Sequence, residues 1–91
     1  MTISVLIADD DALLRHGVRV VLDSASDIEV IGEAGDGLEA VERCREYKPD
    51  VVLMDVRMPG VDGIEATRRI TAEHDDVRVL DPAGRAGGLG G

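Results

Sequence analysis

Val51-Val52-Leu53-Met54-Asp55-Val56-Arg57-Met58-Pro59-Gly60-Val61-Asp62-Gly63 is the stretch on which the fold turns. Four apolar residues run into one carboxylate, and a proline-glycine turn opens a polar, helix-like segment. The apolar run reads as a buried strand carrying Asp55 at its C-terminal tip. Asp62 reads as the cap of a helix reaching to about His74, with Ile64, Ala66, Thr67 and Ile70 facing inward. A single acid at a strand tip is commonplace. The first apolar run, Ile3 to Ala8, ends in the same way, on Asp9-Asp10-Asp11. The functional reading rests on these two acidic strand ends meeting.

Working outward, the acidic triplet opens a helix from about Ala12 to Asp23. Leu14, Val18, Val21 and Leu22 form its apolar stripe, with Arg15 and Arg19 on the outer side. Ile28 to Ala34 is a second strand, half exposed at an edge because Glu29 and Glu33 interrupt it. Asp36 caps a helix from about Leu38 to Tyr47 that buries Leu38, Val41 and Cys44 and is stopped by Pro49. Val77 to Leu80 begins a fourth strand. Three strand-helix alternations with short connections give an α/β fold, a parallel sheet with helices on both faces. Residues 1–80 make one domain. Five glycines between Gly84 and Gly91 mark residues 81–91 as a flexible tail, native or added.

Bulk properties exclude several classes. A net charge of −9 in 91 residues opposes direct nucleic-acid binding, which needs clustered Lys and Arg, and suits a soluble chain handling cations or basic partners. Tyr47 is the sole aromatic residue, so the core lacks large fillers. Cys44 is the lone cysteine; no internal disulfide forms, as suits a reducing cytoplasm. No secretory leader or membrane-length apolar run is present, so the expected location is cytoplasmic. His16 and His74 lack companion ligands and read as surface residues, Cys44 as a small core residue, and Arg68-Arg69 as a solvated helix face.

In a parallel α/β sheet, strand C-termini share one edge. Neighbouring first and third strands would therefore bring Asp9, Asp10 and Asp55 together. Three close carboxylates repel unless a hard divalent cation joins them, and Mg2+ fits such oxygen ligands. A carboxylate beside that ion is also a nucleophile able to form an aspartyl phosphate. The milder reading of Asp9 to Asp11 is helix capping, which suits Asp11 best.

Ile7 to Arg15 with Gly17-Val18, and Pro49 to Gly63, resemble bacterial response-regulator receiver domains. Glu33-Ala34, Asp36-Gly37 and Glu65 to Ile70 resemble the NarL/FixJ (LuxR-type) subgroup in particular. The resemblance covers residues 3 to 80. It implies a flavodoxin-like (CheY-like) sheet of order 2-1-3-4-5, present here only through strand four. It further implies Asp55 as phosphoacceptor, Mg2+ held by Asp10, Asp55 and the Arg57 backbone carbonyl, and Asp9 acting directly or through water. Pro59 and Gly63 would shape the loop behind the site, and a histidine kinase would be the phosphoryl donor. Such a domain regulates rather than catalyses, beyond accepting and losing its own phosphoryl group.

The sequence departs from the family in its C-terminal part. The Thr or Ser expected after strand four and the Lys expected after strand five are absent, and Lys48 precedes strand three, at the opposite end of the sheet. The chain thus reads as a receiver cut short, with an open sheet edge and an uncovered face that favour homo-oligomers. Two other functions stay open at this point: an interaction module working without phosphorylation, and a Mg2+-dependent phosphohydrolase.

Overall fold

The computed structural model describes residues 1–55 and 63–80. It contains β1 (Ile3–Ala8), α1 (Ala12–Asp23), β2 (Ile28–Ala34), α2 (Gly37–Tyr47), β3 (Val51–Met54), α3 (Gly63–Glu73) and β4 (Arg78–Leu80). The four strands are parallel in the order β2-β1-β3-β4. Every element expected from periodicity is present, and β2 lies at an edge as its glutamates implied. Helix two starts one residue early, at Gly37, because Asp36 accepts a hydrogen bond from the Glu39 amide at 2.8 Å and caps it. Strand four starts one residue late, at Arg78. The Asp62 cap and the 81–91 tail lie outside the described residues.

The central strand β1 is buried on both faces, which explains its unbroken apolar sequence. Leu6 and Ala8 join Val52, Met54, Val79 and the inner residues of α2 and α3 in the larger core. Val5 and Ile7 face the other way, toward Val18 and Leu22 of α1. Cys44 is fully buried, as the sequence suggested, and burial pushes its thiol up to about 12.

Four apolar assignments fail. Leu14 is 58% and Val21 68% exposed, and no residue of α1 is fully buried. At 100° per residue, Leu14 and Val21 fall on the flank of α1 opposite Arg15 and Arg19. Those arginines are not outward-facing. Both bond Glu33 of β2, drawing α1 over β1 and β2 and leaving its apolar flank without a packing helix among the described residues. Leu38 and Ile64 are also exposed. Each stands one residue into its helix, where small neighbours (Gly37 and Ala40, Gly63 and Ala66) take the buried face instead.

A bulge in β2 makes the Glu33 contacts possible. Val5 pairs with Val30 but Leu6 pairs with Gly32, so Ile31 is an extra residue and the side-chain parity of β2 reverses after it. Without it, simple alternation would put Glu33 on the α2 side with Glu29. The same reversal turns Gly32 toward α2, where a Cβ would lie 3.1 Å from the Tyr47 ring. A side chain there would be tight against that ring, which would have to shift by a few tenths of an ångström to admit it.

Candidate functional site

Backbone pairing continues one residue beyond the strands. The Asp9 amide donates to the Ala34 carbonyl at 3.0 Å, and the Asp55 amide donates to the Ala8 carbonyl at 2.9 Å. Because Ala8 is in register with both Ala34 and Met54, the first residues past β1 and β3 emerge side by side. One carboxylate oxygen each from Asp9, Asp10 and Asp55 lies within 4.8 Å of the others. The two acidic strand ends therefore meet.

The three acids differ in setting. Asp9 is buried (7% exposed), Asp55 half-buried and Asp10 exposed. Asp9 Oδ1 accepts the Asp11 amide at 2.8 Å, which turns the chain sharply after β1. Asp11 Oδ1 accepts the Leu13 and Leu14 amides at 2.9 and 3.2 Å, so Asp11 is the cap of α1. Capping thus occupies Asp11 and leaves the Asp10 carboxylate over the strand edge.

Cation ligation fits this donor set. Octahedral Mg2+ at about 2.1 Å from each oxygen places ligands roughly 3 Å apart when adjacent and about 4.2 Å apart when opposite. The observed spread of 4.8 Å is therefore near what one ion requires, and hard carboxylate oxygens match its preference. The Arg57 carbonyl, expected as a further ligand, lies outside the described residues, as does Pro59. Gly63 is the buried first residue of α3. Lys48 caps the C-terminus of α2, before β3, and so lies at the end of the sheet away from the acids.

Two residues beside this site escaped the sequence reading. Glu33 accepts Arg15 Nε at 2.8 Å and Arg19 Nη1 at 2.5 Å. The Arg19 hydrogen bond is the main cause that holds the Glu33 carboxyl below its usual range, aided by Arg15 and opposed by partial burial. Arg15 Nη1 also donates to the Asp9 carbonyl at 2.5 Å. The available signal was Arg15 and Arg19 at i, i+4, but the bulge that supplies their partner is invisible to a pattern of period two.

Comparison with known proteins gives a consistent result. The family described as response regulator receiver domain matches residues 5–81. Among curated proteins, the response regulator GacA of Pseudomonas viridiflava is 46% identical over 78 residues, covering 86% of this chain and 36% of that protein. The response regulator UvrY of Escherichia coli K12 is 47% identical over 78 residues, with the same coverage. The chain thus spans about a third of the length of these relatives. Among solved structures, a LuxR-family two-component response regulator from Aurantimonas matches with TM-score 0.84 and 37% identity, covering 89% of this chain and 58% of that one. The receiver domain of a NarL regulator from Mycobacterium tuberculosis matches with TM-score 0.83 and 38% identity, covering 88% and 64%.

Proposed function

Because this chain belongs to the response-regulator receiver domain family, we propose that Asp55 accepts a phosphoryl group from a partner histidine kinase, with Mg2+ held by Asp10, Asp55 and the Arg57 carbonyl, and by Asp9 directly or through water. The observation that carries this reading is the convergence of Asp9, Asp10 and Asp55 at the C-terminal edge of β1 and β3. In the transfer, an Asp55 carboxylate oxygen attacks the phosphorus of a phosphohistidine. The O–P bond forms as the P–N bond breaks, and the imidazole leaves with its electron pair and takes up a proton. A cation held by these acids would supply positive charge against the phosphoryl oxygens.

This chain's own residues do the positioning. The Asp55 amide, bonded to the Ala8 carbonyl, keeps the nucleophile at the tip of β3. Asp55 is half-buried there, so the strand tip lies within reach of the solvent from which a donor arrives. Asp9, buried and fixed by the Asp11 amide, lies beneath the other two acids as the least exposed member of the site. The kinase is the macromolecular partner, and the chain regulates rather than turns over a substrate. No helix among the described residues is long and apolar enough to cross a membrane, and the proposed location is cytoplasmic. The relatives named above are response regulators, so the interaction-module and phosphohydrolase readings gain no support from them.

Self-association is a second part of the reading. Among the described residues β4 pairs only with β3, and Leu13, Leu14, Val20 and Val21 are exposed on α1. A second copy of the chain covers this edge and face.

Acetyl phosphate with Mg2+, followed by intact-mass measurement, tests the main reading. One added phosphoryl group on the wild type and none on Asp55→Asn is expected. A folded wild type that stays unmodified, or an adduct that survives in Asp55→Asn, defeats it.

A further inference from the structure

We infer that Arg15 is a positioning residue for the cation site, acting through the backbone of Asp9 rather than by touching the ion. The inference rests on the metal reading given above. The peptide that joins Asp9 to Asp10 contains the Asp9 carbonyl and the Asp10 amide in one plane. Arg15 Nη1 holds that carbonyl at 2.5 Å, so it sets the plane from which the Asp10 side chain departs. Asp9 is otherwise tied through its amide to Ala34 and through Oδ1 to Asp11. The Asp11 side chain is engaged in capping. Of the three acids, Asp10 is the exposed one, and its backbone orientation is the part of the loop that these bonds leave to Arg15.

The guanidinium is itself aimed from the other side. Its Nε donates to Glu33 Oε1 at 2.8 Å while Arg19 takes Glu33 Oε2. A planar fork is needed to reach a carboxylate with one nitrogen and a carbonyl with another, which lysine's single ammonium does not reproduce. Glu33 offsets the positive charge of Arg15 next to a site built for a cation. The β2 bulge therefore has a purpose at the strand edge: it places the carboxylate that aims the arginine that sets the Asp10 peptide. Partners of this kind, one step removed from the ion, commonly change metal affinity by about 10–100-fold.

The sign of the effect separates positioning from charge. Removing a cation near a cation site strengthens metal binding if charge alone acts; loss of positioning weakens it. Mn2+ binding, followed through the free-ion electron paramagnetic resonance signal, is the measurement, with melting temperature recorded alongside. Arg15→Gln is expected to bind Mn2+ about tenfold more weakly. Arg19→Gln, which removes the shared Glu33 contact but none to Asp9, is expected to melt lower while keeping its affinity within about twofold. Wild-type or tighter binding by folded Arg15→Gln overturns the inference, as does an equal loss in Arg19→Gln. If Arg15→Gln does not fold, Arg15→Lys replaces it, and wild-type affinity there overturns the inference equally. A wild type that binds no Mn2+ defeats the metal reading itself, a result distinct from either of these.

Discussion

Single residues carry the chemistry through their local partners. Asp9, Asp10 and Asp11 are identical in type and adjacent, yet one is a buried turn former, one is free of capping and one caps α1. Replacing Asp10 by Asn removes charge from a crowded acidic site. Without metal, Asp10→Asn is expected to melt higher than the wild type, and Mg2+ is expected to raise the melting temperature of the wild type but not of Asp10→Asn. That rise corresponds to about 2.7 kcal/mol when the ion is at 100 times its dissociation constant, and thermal melts with and without Mg2+ check it. Lys48 is a different local case. It holds φ 49° and ψ 60° at the end of α2, a left-handed conformation that a side chain resists. Lys48→Gly is expected to stabilise the fold by about 0.5–1 kcal/mol in urea unfolding. The Cys44 thiol, buried and pushed up to about 12, is expected to resist thiol reagents until the chain unfolds.

At the scale of elements, α1 is held by two kinds of contact. Val18 and Leu22 pack on Val5, Ile7 and Val30, whereas Leu14 and Val21 do not. Leu22→Ala is therefore expected to cost about 2 kcal/mol or more in urea unfolding, and Val21→Ala only about 0.5 kcal/mol or less. The Glu33 pairs with Arg15 and Arg19 tie the same helix to β2. Glu33 has a depressed folded value, so its contribution is present above the ordinary carboxylate range, near 4.5, and is lost as pH falls through the lowered value. The stability difference between wild type and Glu33→Gln is expected to be modest at neutral pH, about 0.2–1 kcal/mol per half-exposed pair. It should shrink as the medium is acidified below 4.5, which urea unfolding at a series of pH values would reveal.

For the whole molecule, the division of the sheet into two faces matters most. One face is closed by α2 and α3, whose inner residues are fully buried, and is further tied by Arg45 bonding Glu73 at 2.7 and 2.6 Å. The other carries α1 alone among the described residues. Association through that face and the β4 edge is expected to raise the sedimentation coefficient with concentration, and Leu14→Glu with Val21→Glu is expected to suppress the increase. A sedimentation coefficient independent of concentration across the micromolar range counts against self-association.

The strand-and-helix order, the strand boundaries within a residue, the caps Asp11 and Asp36 and the meeting of Asp9, Asp10 and Asp55 were all legible in the sequence. These follow from local rules: apolar runs, helical spacing, side chains that bond nearby amides, and the common edge of parallel strand ends. Which apolar residues are buried was legible only in part. Leu14, Val21, Leu38 and Ile64 match a helical stripe, but their burial depends on what lies opposite, and spacing along one helix holds no record of that. The ties from Arg15 and Arg19 to Glu33 were decided wholly in three dimensions. They depend on one extra residue in β2, which reverses a strand's facing without altering its composition, and so brings a carboxylate to the arginine that holds Asp9.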